Sequence, residues 1–362
     1  MANRPIPQPG IQELELYTPG NSGGRPASEI RKLSSNENLY GPSPKAIKAV
    51  QAASANMWRY PSVDHLELRA AIAKVNDLPV ENIICGAGSD EILNLVAQAY
   101  CGVGDEVIVT QYGFEIYGIV ARSAGATVVY VDETDRTVNV DNILKAVTDK
   151  TQIIYVANPS NPTGTFIDEG QIARLVKGLR SDIVLVLDGA YAEFVKGYDG
   201  GASFVAGREN VIMTRTFSKL YGLGGLRIGW GYASENMVGI LNRIRGPFNL
   251  SGPALEGAKE AMLDQEYAQN CKDNILADRD YMTEALRQFG VEIDASSANF
   301  IVPRFTSETQ AKMVSQDLLD ANIVVRSIAH YGLPHALRIT IGTHEDCIKI
   351  VNIIQKSLGV NL

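Results

Sequence analysis

Apolar residues in the middle of the chain come in short, nearly unbroken runs separated by stretches with helical period. Ile183-Val184-Leu185-Val186-Leu187 and Ile153-Ile154-Tyr155-Val156 contain almost no polar position. That is the pattern of strands buried on both faces of a mainly parallel sheet. Seven such strands are predicted, over residues 82–85, 106–110, 127–131, 152–156, 183–187, 211–215 and 226–232. Amphipathic segments at 90–100, 114–124, 141–147 and 168–179 predict crossover helices between them. After residue 232 the texture changes. Residues 234–290 predict helices interrupted at Pro247 and Pro253. Residues 291–362 predict a short α+β pattern: strands near 299–303, 323–326 and 337–341, a helix near 308–321 and a final helix. Residues 1–30, rich in Pro, Gly and Ser, predict an extended arm that packs on the smaller unit or on a partner chain. The expected organisation is an α/β fold. It has an arm over 1–30, a large domain over 31–245 that shares its first residues with the small one, and a small α+β domain over 246–362.

The length of 362 residues suits two domains. A net charge of −8, with no block of like charges, argues against nucleic-acid and membrane-surface roles. It leaves anionic small ligands open, because a few arginines can dominate a pocket. Cys85, Cys101, Cys271 and Cys347 form no CxxC pair and no metal-ligand spacing, so reduced thiols in a cytoplasmic protein are expected, and no metal. The first ten residues carry three prolines and no apolar stretch, unlike a signal peptide.

Several segments carry candidate chemistry. Thr214-Arg215-Thr216-Phe217-Ser218-Lys219 follows an apolar strand and precedes a Gly-rich turn ending in Arg227. A lysine there suits Schiff-base chemistry if cationic or apolar surroundings lower its pKa; a solvated surface lysine is the plain alternative. Asp188 ends a strand, where open α/β sheets bind ligands. It could pair with a protonated ring nitrogen or simply cap a turn. Two Asn-Pro steps in Asn158-Pro159-Ser160-Asn161-Pro162 predict a rigid turn that can present Asn161, with Tyr191 able to act beside it. Gly86-Ala87-Gly88-Ser89-Asp90 lies between a strand and a helix and suits a phosphate, or only an N-cap. Phe114 could stack on a flat ring or serve as core. Arg338 and Arg326, in apolar strands, suit bidentate binding of an anion or structural ion pairs.

Taken in order, these segments resemble the fold-type I pyridoxal 5′-phosphate (PLP) enzymes. More narrowly they resemble the histidinol-phosphate aminotransferases, through Tyr17-Thr18-Pro19-Gly20, Leu33-Ser34-Ser35-Asn36-Glu37-Asn38, Gly41-Pro42-Ser43-Pro44, Arg59-Tyr60-Pro61, residues 158–164, 214–219 and 331–343. The resemblance implies a fold-type I transferase with a mainly parallel seven-stranded sheet. It implies PLP held by Lys219, with Asp188 at the ring nitrogen, Asn161 and Tyr191 at the ring oxygen, and Phe114 or Tyr112 stacked on the ring. It implies a phosphate held by Ser89, the backbone at Asp90, Thr216, Ser218 and Arg227, with Tyr60 reaching in from a second subunit of a homodimer. It implies substrate contacts from Arg338, Arg326, Tyr17 and Asn36. The expected reaction is transamination of histidinol phosphate with 2-oxoglutarate in histidine biosynthesis. Aromatic amino-acid transamination, decarboxylation of a phosphorylated amino acid, and a PLP-binding regulator are the alternatives. Leu39 stands where the family often has Pro, and Thr110-Gln111-Tyr112-Gly113 where relatives carry a proline-bearing turn.

Overall fold

The computed structural model describes residues 7, 10–14 and 26–360. Tyr17 and most of the expected arm lie outside the described residues. Gly10, within the arm, lies against Arg122 in the helix over residues 115–123, where an added Cβ would sit 3.3 Å from the Arg122 carbonyl.

A two-residue strand β1 (Arg31–Lys32) is followed by helices α1 (Pro44–Ser54) and α2 (Leu66–Asn76). Then come the strands of the main sheet: β2 (Ile83–Gly86), β3 (Glu106–Thr110), β4 (Thr127–Val131), β5 (Thr151–Ala157), β6 (Val184–Asp188), β7 (Val211–Thr216) and β8 (Gly229–Tyr232). Helices α3 (Ser89–Tyr100), α4 (Glu115–Ser123), α5 (Val140–Ala146) and α6 (Glu169–Gly178) connect the first of them. The sheet order is β2-β8-β7-β6-β5-β3-β4, and only β8 runs antiparallel to its neighbours.

Alternate side chains along one strand enter different cores. Val184 and Val186 of β6 join one buried cluster, and Leu185 and Leu187 the other. This period of two is why the strand sequences are apolar throughout. Each fully buried side chain of this size contributes about 1.5–3 kcal/mol. The edge strand β4 is the exception, with Tyr130 54% exposed.

The connections lead away in opposite directions from the boundary between β3 and β5. A crevice forms beyond the strand ends at such a switch point. The carboxyl ends of β3, β5, β6 and β7 all open there.

Expected and observed strands agree closely, with one correction. Residues 226–228 do not extend β8. Gly224–Leu226 forms a 3₁₀ turn and Arg227 is left-handed at φ 50°, so the strand starts at Gly229.

Helices α7 (Glu235–Ile244), α8 (Gly252–Leu263) and α9 (Gln265–Gln288) follow. Pro253 lies in the first turn of α8, whose N-cap is Ser251, so it starts that helix and does not break it. α8 packs on α1 and α2, to the N-terminal side of the main sheet, although it lies after residue 245. The remaining elements are β9 (Glu292–Ile293), β10 (Phe300–Ile301), β11 (Pro303–Arg304), α10 (Glu308–Asp320), β12 (Ile323–Val324), β13 (Arg326–Ser327), β14 (Leu337–Thr340) and α11 (His344–Ser357). β1 pairs in parallel with β12, and Arg31 meets Asp346 at 2.6 Å. The start of the chain is thereby fastened to these C-terminal elements, and the segment after β1 runs along the crevice.

Candidate active site

Asp188 ends β6 with 4% of its surface exposed. Tyr117 Oη donates to its Oδ2 at 2.7 Å; Thr214 Oγ1 and the Ala190 N–H reach Oδ1 at 3.2 and 3.1 Å. Burial pushes the Asp188 carboxyl above the usual carboxylate range, against the lowering influence of these donors. A carboxylate in that setting gains from a cationic N–H partner.

Lys219 follows β7 by three residues, beyond the turn of Phe217 and Ser218. Its Nζ donates to the Ser35 carbonyl at 3.0 Å and lies 5.6 Å from the centroid of the Tyr191 ring. The amine is therefore held at the crevice and not in bulk solvent.

The polar cup at the start of α3 depends on close packing. Gly88 precedes the helix at φ 78°, and a Cβ there would meet the Arg227 guanidinium at 2.5 Å. A Cβ on Gly229 of β8 would meet the Ser89 nitrogen at 2.4 Å. The glycines thus let a strand, a helix start and a guanidinium share one small volume. Arg227 donates to Ser218 Oγ at 3.3 Å, to the Gly224 carbonyl at 3.0 Å and to Asp90 Oδ2 at 3.2 Å. Thr216 Oγ1 donates to Ser218 Oγ at 3.0 Å. Hydroxyls, a guanidinium and the N-terminus of a 12-residue helix converge here, a combination whose chemistry suits an anion.

Opposite the cup, the Asn158 side chain fastens the Asn-Pro turn by two hydrogen bonds to the backbone of Ile167, at 3.0 and 2.9 Å. Asn161 is presented from that turn, and its Oδ1 accepts from Arg338 of β14. Arg338 also donates to the Ser34 carbonyl at 2.7 Å and lies over the Phe300 ring. Asn36 Nδ2 donates to the Tyr191 hydroxyl at 2.8 Å.

Lys219, Asp188, Tyr191, Asn161, Phe114, Ser89, Asp90, Thr216, Ser218, Arg227, Arg338 and Asn36 together line one cavity of about 390 Å³. Of the two aromatic candidates, Phe114 lines it and Tyr112 does not; Tyr112 packs on the main core instead. Two expected residues are not in it. Arg326 of β13 pairs in register with Arg338 but does not line the cavity. Tyr60 is 81% exposed, stacked on Phe248 at 4.4 Å along a separate groove. Its position in sequence, between α1 and α2, carries it away from the cup of its own chain.

Residues 28–354 match the family model for aminotransferase class I and II. The chain belongs to the class I and II aminotransferases. It is 52% identical over 98% of its length, and 98% of the relative's, to the histidinol-phosphate aminotransferase of Ruegeria pomeroyi. It is 49% identical over 95% of its length, and 96% of the relative's, to that of Jannaschia sp.. Among solved structures, histidinol-phosphate aminotransferase from Sinorhizobium meliloti, in complex with pyridoxal-5′-phosphate, superposes with a TM-score of 0.88 at 24% identity, over 97% of both chains. Aspartate aminotransferase from Thermus thermophilus with maleate gives 0.78 at 20% identity, over 91% of both. These structural likenesses establish the fold-type I architecture of this aminotransferase.

Sequence reasoning missed four contributors to the polar network around this cavity. Tyr117 looks like a core aromatic of α4, and only its partnership with a strand-end acid marks it as polar machinery. Thr214 points inward from a strand that reads as uniformly buried. The carbonyls of Ser34 and Ser35, which receive Arg338 and Lys219, are backbone groups and leave no trace in residue type.

Proposed function

We propose that this aminotransferase uses PLP to exchange an amino group between histidinol phosphate and 2-oxoglutarate, working as a homodimer. The observation that carries the reading is that Lys219 and Asp188, from two separate strand ends, line one cavity with an anion cup at one side and Arg338 at another. The residues fit the cofactor. Asp188 suits the protonated ring nitrogen, Asn161 and Tyr191 the ring oxygen, and Phe114 the ring face. Ser89, the Asp90 N–H, Thr216, Ser218 and Arg227 suit the phosphate. The full-length relatives at about half identity, each named for histidinol phosphate, support the substrate.

When bound, PLP supplies a carbonyl that condenses with amines and a conjugated ring that accepts electrons from a Cα–H bond. The protein does the rest. Lys219 takes the proton from the substrate Cα and holds it at Nζ, which the hydrogen bond to the Ser35 carbonyl keeps at the crevice. Asp188 would hold a fixed negative charge at the ring nitrogen, a preorganised term that costs no rearrangement during reaction. Arg338 takes the phosphate of one substrate and the carboxylate of the other, since both match a planar guanidinium. Phe114 excludes water from one face.

The homodimer rests on a surface argument. Met57, Trp58 and Tyr60 are 72%, 76% and 81% exposed, with Phe248 beside them at 44%. A contiguous apolar patch of this kind marks an interface. A second copy seated there brings Tyr60 to its neighbour's phosphate cup.

A substrate panel with 2-oxoglutarate tests the reading. Glutamate should form with histidinol phosphate at a kcat/KM roughly 100-fold or more above that with phenylalanine, which keeps an anionic group for Arg338 but lacks the hydrogen-bonding imidazole nitrogens. No glutamate with histidinol phosphate, or better turnover of phenylalanine, contradicts it.

A further inference from the structure

Asn36 is 1% exposed and takes the left-handed backbone conformation at φ 60°, which Asn tolerates better than most residues. Each of its polar groups is engaged. The backbone N–H donates to Thr340 Oγ1 at 3.0 Å, and the carbonyl accepts from Asn299 Nδ2 at 3.0 Å. The side-chain Oδ1 accepts from the Thr340 hydroxyl at 3.1 Å, and Nδ2 donates to the Tyr191 hydroxyl oxygen at 2.8 Å. Among the described residues the Thr340 proton has Asn36 Oδ1 as its acceptor, and reversing the amide would leave that buried proton without one, so it goes to Oδ1. That fixes the amide with its NH₂ toward Tyr191.

A phenol oxygen that accepts this bond still has its own proton to place. Tyr191 is 3% exposed, with Phe300 packed edge-on against its ring, so its reachable directions are few. We propose that Asn36 is a positioning residue: by donating to the Tyr191 oxygen, it turns the Tyr191 O–H into the cavity, toward the ring oxygen of the bound cofactor. The inference rests on the PLP reading above and assigns Asn36 to the cofactor's electronics in place of direct substrate contact. Thr340 follows Arg338 by two residues on β14, so the strand that meets the substrate's anionic group also holds Asn36.

A donor to the ring oxygen stabilises its negative charge and weakens its pull on the proton of the adjoining imine made with Lys219. Losing that donor raises the pH at which the imine proton leaves, and the change reads as a shift of the visible absorption band. The test is a spectrophotometric pH titration of the PLP-loaded wild type, Asn36→Gly and Asn36→Asp. Glycine keeps the left-handed backbone and deletes the amide. The introduced carboxylate takes the Tyr191 proton for itself.

The titration midpoint should rise by about half a unit to one unit in Asn36→Gly, the size of one hydrogen bond, and further in Asn36→Asp. Steady-state rates should show kcat falling with KM nearly unchanged. Wild-type midpoints in both variants overturn the proposal. A rise in Asn36→Asp alone reports only added charge and overturns it as well. A wild type with no visible band overturns the PLP reading itself, a separate failure.

Discussion

The Tyr117 hydroxyl donates to Asp188 Oδ2 at 2.7 Å, while its ring stacks on Tyr155 at 5.0 Å and 4° between planes. Burial and the neighbouring carboxylate hold the Tyr117 pKa well above the usual phenol value, so it remains a donor throughout the working range. Tyr117→Phe keeps the stack and deletes the bond. Cofactor affinity and kcat should each fall roughly tenfold, matching about 1.5 kcal/mol for a hydrogen bond to a charged group. Cofactor titration alongside kinetics checks this; wild-type affinity means Asp188 does not depend on Tyr117.

Arg338 should dominate binding of the substrate's anionic group. Arg338→Gln is expected to lower kcat/KM by roughly 30-fold or more, from the 2–5 kcal/mol typical of truncating one partner of a buried charge pair. Arg338→Lys should recover only part, because an ammonium lacks the planar fork. Initial-rate kinetics on both variants decides; full recovery by lysine contradicts the bidentate role.

Much of this site was legible in the sequence because it sits at strand ends. Apolar runs place Asp188 at the last residue of β6 and Lys219 three residues past β7, and physics puts ligands beyond such strand ends. The parts that stayed hidden are of other kinds. Tyr117 acts through an atom that burial conceals. The Ser34 and Ser35 carbonyls belong to the backbone. Choosing Phe114 over Tyr112 needs the turn before α4 in three dimensions. In the C-terminal part, the runs near 299–303 and 323–326 each split into two short strands, around Val302 and Val325. A period-two pattern does not reveal such breaks.

Arg215 and Glu193 form an ion pair with both side chains under a tenth exposed, Nη2 to Oε1 at 2.8 Å. Arg215 lies just before the Lys219 turn and Glu193 just after Tyr191, so the pair ties these segments together. Arg215→Met or Glu193→Gln alone should cost about 3–5 kcal/mol of stability, since each strands a buried charge. The double variant should lose much less. Urea unfolding of all three checks this; additive losses contradict the coupling.

His65 gives the protein an acid-sensitive element. Burial, helped by Arg245 and Arg69 and opposed by Asp64, lowers its pKa to about 4. An unfolded histidine titrates near 6.5. As pH falls from about 6.5 to 4, the unfolded chain takes up a proton that the folded chain refuses. Stability therefore falls over that window and is fully present above it. His65→Asn, which suits the left-handed backbone at φ 53°, should flatten this part of the profile. Urea midpoints at pH 7.5 and 5 measure it; an unchanged difference between the two contradicts the assignment.

Borohydride reduction of the protein loaded with PLP, followed by peptide mass mapping, bears most directly on the shared cavity of Lys219 and Asp188. The mass of a reduced phosphopyridoxyl group should appear on the peptide containing Lys219, and vanish in Lys219→Ala. Label on a different lysine, or none at all with excess cofactor, would contradict the account.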